Sequence, residues 1–255
     1  MNPNQLLESK IRDRIRQSRE GFYITTTGFL NLHEQSSALP LMREAKDLLT
    51  FFYGGYEDAE RRMLIIAPKE LAETPEDALT MGDYIRVIEV DAVKGGRPLT
   101  HRDYLGSMLG LGIDRSVTGD ILVGENGADI LVKPEIADFL LQEYHMVGHT
   151  DVRLREKSLD ELAVPEKRFQ IVRDTLASLR LDNVLSSAFR ISRNEAAKAI
   201  RTGLVFVDHA EMTKNDYRVD EGAVLILRGK GKARLREVGG ESRKGRIWVE
   251  FERYV

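Results

Sequence analysis

The 255-residue chain has no cysteine, which excludes disulfides, thiolate catalysis and cysteine-ligated zinc together. It has no run of 18 or more apolar residues, which excludes a membrane-spanning helix. The opening Met1-Asn2-Pro3-Asn4-Gln5 lacks the apolar stretch of a signal peptide, so the cytoplasm is the expected compartment. Cofactor signatures are missing as well. Gly106, Gly110 and Gly112 are spaced wrongly for a Gly-x-Gly-x-x-Gly loop and fall toward the end of a helix, so they read as close packing and a helix stop. His145 and His149 stand four apart, but Gly148 interrupts the helix that would align them on a metal, and the glutamate of a His-Glu-x-x-His site is absent. They read as solvent-facing or capping residues at a helix end. His101 and Asp103 are too close in sequence to face each other on a helix. Thr100-His101-Arg102-Asp103 reads as a helix start capped by Thr100. No cofactor and no metal are expected.

What the chain does have is charge, unevenly placed. Residues 1–164 carry 19 Lys and Arg against 28 Asp and Glu, a net of −9, and the remainder carries 19 against 13, a net of +6. An acidic body with a basic end is suited to meet a polyanion with that end.

The basic end contains an ordered run. Leu181 to Phe189 is a short apolar-periodic helix flanked by Arg180 and Arg190. Ser192 is a good N-cap and Glu195 completes a capping box, so a second helix starts at Arg193; Gly203 is placed to end it. At about 100° per residue, Ala196, Ala199 and Ile200 are read onto one arc and Arg193, Asn194, Lys198 and Arg201 onto the opposite one. Val205-Phe206-Val207 and Val224 to Leu227 follow as strands. Arg180, Arg190, Arg193, Asn194, Lys198, Arg201 and Lys214 are the candidate phosphate or sugar contacts.

The order of helix, helix, strand and turn resembles the S-four RNA-binding domain. That pattern is carried by Arg180-Leu181-Asp182, Ser192-Arg193 and Gly203-Leu204-Val205-Phe206-Val207. One departure is the turn, where Asp208-His209 replaces the usual Asn-Gly and puts its geometry in question. Beyond it, Lys232 to Arg236 and Ile247 to Phe251 alternate as an added hairpin whose tip carries Arg243 and Lys244, read with His101 and Arg102 as additional RNA contacts.

Upstream, Leu39 to Thr50 reads as a helix and Met63 to Ala67 as a buried strand. Ile85 to Val90, Thr100 to Leu111, the hairpin Asp120–Val123 and Ala128–Val132, Ile136 to Tyr144 and Asp151 to Arg155 follow in the order strand, helix, hairpin, helix, strand. That order predicts a ferredoxin-like or RRM-like α+β sandwich. Val164-Pro165-Glu166 is the expected linker.

The stretch Leu99 to Arg115, with Gly119 to Val123, Thr27-Gly28-Phe29-Leu30 and Glu34-Gln35, resembles the YlmH family of bacterial proteins over nearly the whole chain. The resemblance implies an α+β protein with an N-terminal α/β domain (1–78), a central RRM-like domain (79–164) and an S-four-type domain (165–255). It implies binding to ribosomal RNA, tRNA or both on the large ribosomal subunit, in rescue of stalled translation, with a link to cell division. The chain is then expected to be non-catalytic and a monomer when free. Two other readings stay open: an RNA-modifying enzyme with its site in residues 1–164, and a division-linked interaction scaffold. The first needs converging polar groups in a pocket and the second an exposed apolar patch.

Overall fold

The structure, a computed structural model, describes residues 3–93, 97–162, 164, 169–241 and 245–254. It divides into two compact units, 1–165 and 166–255. The division falls within the expected linker, of which Pro165 and Glu166 lie outside the described residues.

The first unit opens with α1 (Pro3–Gly21), β1 (Thr25–Thr26), α2 (Leu32–Glu44), β2 (Leu48–Tyr53), β3 (Met63–Pro68) and α3 (Pro75–Thr80). The strands pair antiparallel in the order β1-β3-β2. The expected helix over Leu39–Thr50 is corrected here. Asn31 caps α2 in a box with Glu34, starting it seven residues earlier and leaving Pro40 inside it. The helix ends at Ala45, and Leu48 to Thr50 enter β2 instead. Leu41, Ala45 and Leu48 are all buried in one cluster, so the apolar spacing was real but spanned two elements.

The unit continues with β4 (Arg86–Ala92), α4 (His101–Gly110), β5 (Thr118–Val123), β6 (Gly127–Val132), α5 (Pro134–Glu143), β7 (Met146–Val147) and β8 (Thr150–Lys157). Its antiparallel sheet runs β5-β6-β4-β8-β7, the ferredoxin-like order with β7 added at one edge. One side of the sheet, through Ile88, Val90, Ile130 and Val132, packs under α4 and α5 with Tyr104, Met108, Ala137 and Leu140.

The other side is joined to the preceding segment. Phe29, Met63 and Ile65 form one buried cluster with Ile85, Val87 and Leu131. Beside it the Asp120 carboxylate accepts from the Tyr56 hydroxyl at 2.7 Å and from the backbone N–H groups of Glu60 and Arg61 at 2.7 and 3.0 Å. The Arg61 guanidinium donates to the carbonyls of Phe29, Arg115 and Thr118 at 2.7–2.9 Å. Gly28 permits the approach, since a Cβ there would lie 2.7 Å from the Ser116 carbonyl. The Thr27-to-Leu30 and Gly119-Asp120 motifs therefore meet at a joint.

The second unit comprises β9 (Phe169–Leu176), α6 (Leu181–Phe189), α7 (Arg193–Arg201), β10 (Val205–Val207), β11 (Ala210–Glu211), β12 (Val224–Leu227), β13 (Gly231–Glu241) and β14 (Ile247–Tyr254). Six strands pair in the order β11-β10-β12-β13-β14-β9. The expected hairpin is β13–β14, and β9 adds to its far edge along its whole length. Leu181, Val184, Leu185, Ala188, Ala196 and Ile200 from the helices share one core with Val205, Leu225, Leu235 and Phe251. At the Asp208-His209 turn both residues take positive φ, 47° and 66°. This is the twist-matching hairpin turn that Asn-Gly usually supplies. Here Asp208 Oδ1 also accepts from the Val224 N–H at 2.9 Å. No helix among the described residues is long and apolar enough to cross a membrane.

Candidate nucleic-acid interface

The interface is organised by one buried carboxylate. Leu181 begins α6 directly after Arg180, which places Asp182 in the first turn with its side chain only 7% exposed. Its Oδ1 accepts from Arg180 Nε at 3.2 Å, and its Oδ2 from Arg193 Nε and Nη2 at 3.1 and 2.9 Å. Asn183 N–H donates to Oδ1 at 3.0 Å. Burial opposes the charge on Asp182, but hydrogen bonds from the two arginines outweigh it and hold the carboxyl below the usual range. Both arginines stay about half exposed, at 43% and 58%. Their guanidinium planes are fixed while outer N–H groups remain open to a ligand.

Arg193 is therefore not opposite the packed face, as the sequence analysis had it. Seven residues separate it from Ile200, almost two full turns, so both lie along the edge of α7 that meets α6. Asn194, Lys198 and Arg201 do point outward and are exposed. Arg190, exposed, ends α6 in the left-handed conformation at φ 52°. The loop before Val219 folds back on the start of α6: Leu181 N–H donates to the Tyr217 carbonyl at 2.8 Å and Asp182 N–H to that of Asn215 at 3.2 Å. This brings Lys214 and Arg218, both exposed, to the same end as Arg180. Arg218 was missed by the sequence analysis; its one local signal was its place beside the core residue Val219. Among the described residues, no carboxylate pairs with Arg190, Lys198, Arg201, Lys214 or Arg218. Arg243 and Lys244 lie outside the described residues.

Replacing Arg193 by Glu should destabilise the second unit by about 1–3 kcal/mol, since it sets a like charge against a buried carboxylate from a half-exposed position. Asp182 adds a pH signature. Its folded pKa lies below that of an unfolded aspartate, near 4. Its stabilisation is therefore complete above about pH 4 and is lost as pH falls through the folded value. Melting curves of parent and Asp182→Asn should differ most at neutral pH and draw together as pH falls below about 4.

In the first unit, His101 and Arg102 are exposed at the start of α4. Asp103 is committed to structure: it accepts from Thr100 N–H and Oγ1 at 2.7 Å and from both Nη groups of Arg97. The Arg97 guanidinium, with Thr100, holds its carboxyl far below the usual range. A groove of about 620 Å³ beside it is lined by Arg102, Asp103, Ser107, His145 and Met146. A Cβ at Gly106 or Gly110 would meet nothing within 4 Å. Close packing is thus not their role, while Gly112, at φ 78°, does stop the helix. His145 and His149 are exposed but flank β7 instead of ending a helix. Among the described residues no group of three or more His, Cys, Asp or Glu could hold a metal.

The sheet face away from α4 and α5 carries no aromatic side chain on β4, β6 or β8. Val87 and Leu131 are covered at the joint, and Glu89, Asp129, Arg155 and Lys157 form a network, with Lys157 2.8 Å from Asp129. RRM domains stack bases on aromatics of this face. Here that platform is absent among the described residues.

Three sequence profiles match the chain: "YlmH, N-terminal" over residues 8–71, "Putative RNA-binding domain in YlmH" over 82–161 and "S4 domain" over 179–225. A protein of Bacillus subtilis (strain 168) named "Ribosome-associated protein quality control protein P2" is 32% identical over 236 residues, covering 92% of this chain and 89% of that one. A solved structure, "Cell division protein ylmH from Streptococcus pneumoniae", aligns with TM-score 0.51 at 22% identity, over 65% of this chain and 96% of that one. It supports the fold alone.

Proposed function

The chain belongs to the YlmH family, and from that premise we propose that it is a non-catalytic, ribosome-associated RNA-binding protein of the cytoplasm, monomeric when free. Its ligand is ribosomal RNA, tRNA or both on the large ribosomal subunit, in rescue of stalled translation. The observation that carries the reading is the set of exposed cations on α6, α7 and the loop before Val219. Two of them, Arg180 and Arg193, are fixed by buried Asp182, and five lack carboxylate partners among the described residues. Fixed guanidinium groups lose little entropy on meeting phosphate, and unpaired cations release counterions there. Arg180, Arg190, Arg193, Asn194, Lys198, Arg201 and Lys214 hold phosphate and sugar. In the central domain the exposed start of α4, with His101 and Arg102, supplies any further contact, because the opposite sheet face has no stacking residues. The name of the Bacillus relative, which speaks of ribosome-associated quality control, supports the cellular role.

Crosslinking the protein to RNA in living cells and sequencing the bound fragments tests this. Large-subunit ribosomal RNA and tRNA should dominate. Messenger RNA alone, or no enrichment over an unrelated acidic protein, would refute the reading.

A further inference from the structure

The arrangement around Asp182 occurs a second time, on the opposite face of the six-stranded sheet. In β14, Val249 and Phe251 point into the core under α6, so Trp248, Glu250, Glu252 and Tyr254 point the other way. Cross-strand pairing sets Arg173 of β9 beside Glu250 and Arg234 of β13 beside Glu252. Glu250 is 5% exposed and accepts from Arg173 Nε at 2.7 Å and from Arg236 Nη1 at 2.8 Å. The two arginines are 68% and 53% exposed. A buried carboxylate again fixes a pair of outward guanidinium groups. Lys232 lies 5.1 Å from the Tyr254 ring centroid, and Arg234 is exposed. Among the described residues, four cations thus share this face with three carboxylates, Glu237, Glu250 and Glu252, and Glu250 is buried between arginines.

We propose that this sheet face is a second RNA-contacting surface, which binds the phosphate backbone through Arg173, Lys232, Arg234 and Arg236. It rests on the RNA-binding reading above but uses different residues. β9, β13 and β14 lie outside the stretch matched by the S4 profile, 179–225. RNA is the occupant because the face has excess positive charge and its arginines keep unused donors in fixed planes. Ile171, Ile226 and Trp248 lie half-buried on the same face, but Glu250 with Arg173 and Arg236 forms an ionic trio among them, where a protein partner needs an apolar centre.

The test uses the full-length chain, bulk tRNA in salt-titrated anisotropy, and sedimentation with purified large ribosomal subunits. Arg173→Gln/Arg236→Gln/Glu250→Gln removes the ionic trio together, so no charge is left buried alone. Lys232→Ala/Arg234→Ala leaves Glu250 untouched and serves where the triple variant fails to fold. Either should weaken tRNA binding about tenfold at moderate salt and flatten the salt dependence by about one to two in log–log slope. Parent affinity and slope in a folded sheet-face variant, with binding lost in Lys198→Glu/Arg201→Glu, would overturn this inference and leave the main reading standing. Unchanged tRNA binding with lost sedimentation, and no RNA adduct on β9, β13 or β14 when the parent is irradiated on large subunits, would assign the face to a ribosomal protein and overturn the RNA assignment. No binding by the parent to either probe would remove both.

Discussion

Reversing charge at Lys198 and Arg201 together should abolish most RNA affinity without unfolding the protein. Both side chains are exposed on α7 and, among the described residues, neither is held by a carboxylate. The double change to Glu alters local charge by four units, replacing two attractions for phosphate with two repulsions. With each lost phosphate contact worth close to one unit of salt slope, co-sedimentation with large ribosomal subunits should fall by at least about a hundredfold at moderate salt. The melting temperature should stay within a few degrees. A variant that sediments like the parent would show that α7 does not face the RNA. Arg193 is unsuited to this experiment, because its loss would also release Asp182.

Replacing Ile200 by Asp should have the largest structural effect. Ile200 is fully buried among the residues shared by α6, α7 and the sheet. The change removes about 1.5–3 kcal/mol of apolar burial and forces an unpaired carboxylate into the same space, for a total loss on the order of 4 kcal/mol or more. Hydrogen exchange followed by mass spectrometry should show residues 169–254 losing protection while residues 3–162 keep theirs. Retained protection in α6 and α7 would mean that the shared core is not what holds the helices.

The two predictions draw on features of unequal legibility. The α7 capping box and Gly203 could be read from sequence because their partners lie within a few residues, and β13 and β14 because each strand alternates along its own length and the two are adjacent in the chain. Even the unusual Asp208-His209 turn kept its register, because aspartate tolerates positive φ and its carboxylate accepts from the Val224 N–H of the neighbouring strand β12. The misreadings share a different cause. Ala45 and Leu48 looked like one helical stripe because both are buried in the same cluster, although a helix and a strand deliver them there. Strand β9 was missed: its two buried positions, Val172 and Leu176, are four residues apart, and its partner β14 lies more than 70 residues away. Arg193 was placed opposite Ile200 although seven residues, almost two full turns, set both on one side of α7. Only the packing of α6 against α7 reveals that Asp182 draws it to the seam.

The joint in the first unit was illegible for the same reason. Its motif residues could be matched to a family, yet their work is done through Asp120 and Arg61, 57 or more residues from most of their partners. Conversely, the RRM-like strand order was read correctly, but the order alone does not say which sheet face is free. That face meets the N-terminal segment, and Glu89, Asp129, Arg155 and Lys157 on it pair with one another.

The most direct measurement is the identification of the peptides that crosslink to RNA when the full chain is irradiated on purified large ribosomal subunits. The account predicts that adducts concentrate in peptides spanning Arg180 to Arg201 and Lys214 to Arg218, with few on β4, β6 or β8. Adducts confined to residues 3–162, with none on α6, α7 or the loop before Val219, would contradict it.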